Sequence, residues 1–94
     1  MKPWDAEVIE WDEGNESELA AHDISPSEVD ELFLSRPKWV PNKRHGAGEH
    51  KMVGYTDAGR AITVVVTFNE ARASLRPITG WDCDQEERTK YLRG

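Results

Sequence analysis

Six cationic or titratable side chains, Arg44, His45, His50, Lys51, Arg60 and Arg76, fall between positions 44 and 76 of this 94-residue chain. Chemistry on a phosphodiester needs cations to hold the phosphate and stabilise developing charge, plus a group that moves a proton near neutral pH. These residue types supply both. Trp39, Tyr55 and Trp81 flank the cluster and offer rings on which bases stack; the same rings also suit the core of so small a domain. A solvated strand face whose arginines pair with acidic helices is the other arrangement this spacing allows.

Stronger chemical signatures are missing. There is no phosphate-binding P-loop, dinucleotide fingerprint, His-x-x-x-His pair or Ser-centred elbow, so no cofactor and no metal are expected. His45 and His50 lie five apart around glycines, too irregular for a metal pair, and His22 beside Asp23 reads as a satisfied or exposed histidine. Cys83 is the single cysteine and cannot staple the fold. Its neighbours Asp82 and Asp84 raise its pKa, which suits a structural thiol.

The elements that must position these groups are legible in part. Ala6 to Trp11 alternates like a short strand, and Asp12 caps a helix over roughly 13 to 22. Ser25, Pro26 and Glu28 form a capping box with Pro at the first helical position, and Ile24 and Val29 form a hydrophobic staple, so a second helix begins there. Val29, Leu32 and Phe33 make its apolar stripe, and Arg36-Pro37 ends it. Lys38 to Glu49 reads as irregular, with at most a short strand around Trp39-Val40. Lys51 to Thr56, the turn Asp57-Ala58-Gly59 and Arg60 to Phe68 form a hairpin. Ile62, Val64, Val66 and Phe68 face its core, while Ala61, Thr63, Val65 and Thr67 make a half-polar second face. Ala73 to Gly80 is a third strand, in which Pro77 belongs at an edge or a bulge. Asp82 and Gln85 then cap a helix over Glu86 to Leu92, with a Glu86, Lys90 pair. The plan is α+β: a short N-terminal strand, two helices, a three-stranded antiparallel meander and a C-terminal helix, with helices on one sheet face and the other free for solvent or function.

Ninety-four residues at 10.7 kDa accommodate one domain, spanning 1–94. The longest apolar run, 62–68, is far short of the roughly 20 residues of a membrane-spanning helix, and residues 1–5 show no secretory signal, so no membrane partner and a cytoplasmic location are expected. The net charge of −6 conceals a partition. Residues 1–34 hold eleven acids against Lys2 alone, residues 35–80 hold eight bases against three acids, and residues 81–94 hold four acids against three bases. The halves become opposite faces or neutralise each other on folding.

Several stretches together resemble the BrnT-type toxins, small bacterial endoribonucleases with a RelE-like fold encoded beside an antitoxin. They are Val8-Ile9-Glu10-Trp11-Asp12 followed by Asn15 and Leu19; Ala21-His22-Asp23-Ile24-Ser25 with Glu28, Val29 and Phe33; Gly54-Tyr55-Thr56-Asp57-Ala58-Gly59-Arg60; and Leu75-Arg76-Pro77-Ile78-Thr79-Gly80 with Glu87 and Tyr91. Each is short, and it is their joint order over roughly residues 8–92 that carries the likeness. The resemblance implies metal-independent RNA cleavage by attack of a ribose 2′-OH on the adjacent phosphodiester, and inhibition by a cognate antitoxin that wraps the toxin. Arg60, Arg76 and Thr79 match positions of the pattern and would act as phosphate clamp, charge stabiliser and hydrogen-bonding support. His22 and Trp11-Asp12 match N-terminal positions, for which a structural role serves as well.

His50, His45 and Lys51 are candidate general bases by chemistry alone, with His50 placed among the catalytic residues and Arg44, His45, Lys51 and Tyr55 among those contacting RNA, ribosome-associated mRNA included. Asp82 and Asp84 are expected beside the site. The alternative is a non-catalytic interaction module that keeps the toxin-like fold. A DNA-binding domain ranks third, because the second helix carries Glu28, Asp30 and Glu31 and repels phosphates.

Overall fold

A two-residue strand, β1 (Val8–Ile9), precedes Asp12, which caps the first helix, α1 (Glu13–Ala21). The Asn15 amide donates to Asp12 Oδ1 while the Asp12 amide donates to Asn15 Oδ1, satisfying two otherwise orphaned donors. Ser25 and Glu28 repeat the device at α2 (Pro26–Leu34), with Pro26 in the first turn. Val29 and Leu32 are fully buried on its inner stripe, and Arg36, in the left-handed region at φ 59°, carries the chain out of the helix. This computed structural model describes residues 1–42 and 49–93.

Four further strands, β2 (Lys38–Pro41), β3 (Glu49–Tyr55), β4 (Ala61–Asn69) and β5 (Ser74–Asp82), complete a five-stranded sheet in the order β1-β5-β4-β3-β2. The expected meander is thus the centre of a mixed sheet: β1 adds parallel to β5, and β2 adds antiparallel to β3. β2 occupies the start of the segment expected to be irregular, because Trp39 finds burial between Trp4 and Phe33, with ring centroids 6.0 and 6.1 Å away. Gly59, at φ 85°, makes the tight turn between β3 and β4.

The main core lies between the helices and one sheet face. Leu19, Ile24, Val29 and Leu32 meet Met52, Ile62, Val64, Val66 and Leu75, all at most 1% exposed. Gly80 permits this approach: a Cβ there would lie 2.8 Å from the Thr63 carbonyl oxygen, 3.0 Å from Ile24 Cδ1 and 3.1 Å from Leu19 Cδ1.

The second face departs from expectation, since one end of it is covered. A C-terminal turn of helix, α3 (Gln85–Glu87), continues into a π-wound turn, Arg88–Leu92, that packs Tyr91 and Leu92 over Val53, Ala61 and Cys83. Thr63, assigned to the half-polar face, is completely buried because its hydroxyl donates to Glu87 Oε2 at 2.9 Å. The cap of α3 is Asp84 with Glu87 rather than Asp82 with Gln85, because β5 runs two residues past Gly80 and keeps Asp82 in the strand. Among the described residues Glu86 and Lys90 form no ion pair; π winding moves positions four apart out of line. Burial pushes the Cys83 thiol pKa up, and its sulfur sits 3.3 Å from Thr63 Oγ1, as suits a structural thiol. No described helix is long and apolar enough to cross a membrane.

Candidate active site at the β5 edge

Strand pairing determines which chemical side chains share a face, because cross-strand partners project together. Three rows run across the face opposite α1 and α2: Glu49, Thr67 and Arg76; Lys51, Val65 and Thr79; Val53, Thr63 and Trp81. Lys51 and Thr79, far apart in sequence, therefore share a row, and Arg76 stands in the next one. Asn42, Glu49, Lys51, Val65, Ile78, Thr79 and Trp81 line a groove of about 600 Å³ on this face, a size typical of ligand sites. No carboxylate lies within 4 Å of the Lys51 ammonium among the described residues.

The edge of β5 adds a second cleft. Beyond Leu75, β5 has no strand partner on its β1 side among the described residues, since β1 ends at Ile9. A bulge interrupts the β4 pairing there: Val65 opposes Thr79 and Val66 opposes Pro77, leaving Ile78 as the extra residue. Pro77 is thus at both an edge and a bulge, and its carbonyl accepts from the Nδ2 of the buried Asn15 at 3.0 Å. That bond fixes the first turn of α1 against β5, and Arg76 and Thr79 reach round the edge to the helix. The resulting cleft, about 430 Å³, is lined by Gly14, Asn15, Glu18, Arg76, Pro77, Ile78 and Thr79. It shares Ile78 and Thr79 with the groove.

Within it, the Thr79 hydroxyl donates to Glu18 Oε2 at 2.8 Å, and His22 Nε2 lies 3.2 Å from the same oxygen. His22 is the C-cap of α1, four positions after Glu18, the spacing that stacks side chains on one helix face. Arg76 Nη1 donates to Asp12 Oδ2, while its Nε and Nη2 donate to no protein atom among the described residues. The guanidinium and the amides of Asn15 and Gly14 outweigh slight desolvation and hold the Asp12 carboxyl at about 2. Asp12 in turn raises the Arg76 pKa above its ordinary value.

Arg60 stands elsewhere. Its guanidinium makes five hydrogen bonds: Nε to Asp82 Oδ1 at 2.8 Å, Nη1 to Glu28 Oε2 and Oε1 at 3.0 and 3.1 Å, Nη1 to the Asp23 carbonyl at 2.5 Å and Nη2 to the His22 carbonyl at 3.3 Å. Asp82 first, then Glu28 against the opposing burial, raises its pKa. Asp82, expected beside the site, pairs with this arginine, away from the cleft of Arg76 and Thr79, and is held below its ordinary value by it; Asp84 is occupied in capping α3.

Other expected residues are also dispersed. His50 opposes Val66 in the core row, so it projects from the helix-covered face, 6.4 Å from the Trp39 ring centroid, and is not brought together with Lys51 or Thr79. Tyr55, 44% exposed, lines a separate cleft of about 460 Å³ with Arg36, Lys38 and Tyr91. Trp81 lies on the open face, its Nε1 donating to Glu87 Oε1 at 3.0 Å. Arg44 and His45 lie outside the described residues. Glu18 was not singled out in the sequence, although the Glu18, His22 pair on one helix face was available as a signal.

No protein-family model and no curated protein matches this chain. Among solved structures it is similar to the crystal structure of the Brucella abortus ribonuclease toxin, BrnT, at 25% sequence identity and a TM-score of 0.66, over 83% of this chain and 97% of that one. Order of elements, strand arrangement and this likeness agree: the chain carries a BrnT-like toxin fold.

Proposed function

We propose that the chain is the toxin of a type II toxin–antitoxin pair and acts as an endoribonuclease. In this reading a ribose 2′-OH attacks the adjacent phosphodiester at the β5 edge, without a metal ion, in the cytoplasm, and a cognate antitoxin silences the activity. The observation that carries it is the meeting of Arg76 and Thr79, two residues matched to the toxin pattern, in one cleft open to the sheet groove of Lys51. Arg76 has two guanidinium donors left for phosphate oxygens and stabilises charge in the transition state. Lys51 holds an adjoining phosphate, and Trp81 bounds the groove into which a base fits. Arg60 acts from outside the cleft, by fixing the α1–α2 turn to the sheet.

Induced expression arrests growth, and purified protein cleaves messenger RNA with or without ribosomes, leaving 2′,3′-cyclic phosphate ends. Arg76→Ala lowers the cleavage rate about 10²- to 10³-fold, the scale of removing one charge-stabilising donor. Normal growth together with intact RNA in both assays would instead support the non-catalytic interaction module.

A further inference from the structure

We propose that Glu18 is the general base of this cleft and that His22 positions it, an inference that rests on the ribonuclease reading above. Chemistry at a 2′-OH requires an acceptor within hydrogen-bond reach of that hydroxyl and beside the cation that holds the phosphate. Of the candidate bases named from sequence, His50 projects from the opposite sheet face and His45 is outside the described residues. Lys51 lines the sheet groove and is not among the residues lining the cleft of Arg76 and Thr79. Glu18 is the carboxylate lining the cleft of Arg76 and Thr79.

Its two oxygens differ. Oε2 is engaged by the Thr79 hydroxyl at 2.8 Å and faces His22 Nε2 at 3.2 Å, whereas Oε1 accepts no hydrogen bond from the described residues. One oxygen is therefore held while the other is free for a substrate hydroxyl. The groups around Glu18 are His22 at the C-cap of its own helix and, from β5, Thr79 and Arg76, the last paired with Asp12, which does not itself line the cleft.

The step balances as follows. Glu18 Oε1 takes the proton of the 2′-hydroxyl as the 2′-oxygen bonds to phosphorus, whose non-bridging oxygens rest on Arg76. The bond from phosphorus to the 5′-oxygen breaks with its electron pair on that oxygen, which takes a proton from water. The hydroxide so formed accepts the proton from Glu18, returning the carboxylate and leaving a 2′,3′-cyclic phosphate and a 5′-hydroxyl. His22, on the same side of the phosphate as the base, is placed to orient Glu18 and not to protonate the departing oxygen, because in-line displacement puts the leaving group opposite the nucleophile.

The test is single-turnover cleavage of a defined RNA oligonucleotide across pH 4 to 9, with binding of a non-cleavable 2′-deoxy analogue measured in parallel. The wild type shows a rate that rises with pH through a carboxylate titration. Glu18→Gln lowers the plateau about 10²- to 10⁴-fold and loses that limb while binding the analogue within threefold of the wild type. Glu18→Asp keeps the limb at a reduced plateau, and His22→Asn shifts its midpoint with a smaller loss of rate. If Glu18→Gln cleaves within threefold of the wild type with the limb intact, or weakens only the binding of the analogue, Glu18 is not the base. A wild type that yields no cyclic-phosphate ends overturns the ribonuclease reading itself, and with it this assignment.

Discussion

Two arginines of the basic segment differ sharply in surroundings. Arg60 is 26% exposed and fully committed to Glu28, Asp82 and two backbone carbonyls that close the turn after α1. Arg76 is 44% exposed and commits one nitrogen to Asp12. Removing Arg60 strands a partly buried carboxylate and two carbonyls, and losing this charged hydrogen-bonding partner costs about 2 kcal/mol net. Arg60→Ala therefore lowers the melting temperature by about 10 °C in a domain of this size, while cleavage per folded molecule at 25 °C changes by less than tenfold. Arg76→Ala gives the opposite pattern: a small change in melting temperature and a large loss of cleavage. Thermal denaturation read beside the RNA assay separates the two, and equal loss of activity in both variants would return Arg60 to the phosphate. The sequence identified the residue types but not this division of labour. Arg60 and Glu28 are separated by 32 positions, and Thr79 and Glu18 by 61, so the partners meet only through the fold. His50 is different: it shares strand parity with the buried Met52, and a single step of register decides the face.

At the scale of elements, the Asp12 cap, the Ser25 capping box and the tight turn at Gly59 were legible because each is a local rule confirmed within a few residues. The full extent of β2, of which only a short strand at Trp39-Val40 was allowed, and the placement of α3 were not, because both depend on distant burial: Trp39 against Trp4, and Tyr91 and Leu92 against Val53 and Ala61. Gly80 belongs with these long-range features. It looks like the end of a strand, yet it sits inside β5 where α1 and the α1–α2 turn press closest. A methyl group there meets a backbone carbonyl at 2.8 Å, which cannot swing aside as a flexible side chain does. Gly80→Ala forces β5 and the helices apart and costs about 2 kcal/mol, within the range for overpacking a tight interior. The shift also moves Thr79 away from Glu18, so urea unfolding at lower denaturant is accompanied by weaker cleavage in the folded protein. A variant as stable as the wild type would show that the interface yields without cost.

Across the whole molecule, the acidic front and the basic sheet do not simply become opposite faces. Arg72 pairs with Glu10, Arg76 with Asp12 and Arg60 with Glu28, so the sheet draws part of the N-terminal acidity onto itself, while Lys51 stays free of carboxylates among the described residues. A net charge of −6 is thereby reconciled with a cationic spot on one face. The same pairing sets the response to acid. Arg76 holds Asp12 at about 2, below its ordinary 3.8, and Arg60 holds Asp82 below its ordinary value. For Glu28, burial opposes ionisation, but the Ser25 amide and Arg60 outweigh it and the pKa again falls. In each case the unfolded chain binds protons more readily than the folded one, so stability is complete above the ordinary carboxylate range and declines as pH falls toward 2. The melting temperature is accordingly flat from pH 7 to about 5 and drops steadily below. In Arg60→Ala that drop is shallower, because Glu28 and Asp82 then titrate nearer their unfolded values, and Arg76→Ala flattens the part of the curve nearest pH 2, where Asp12 takes up its proton. Melting curves of the three proteins from pH 7 to 2 check this, and an acid limb unchanged by either substitution would mean that other carboxylates set the acid response.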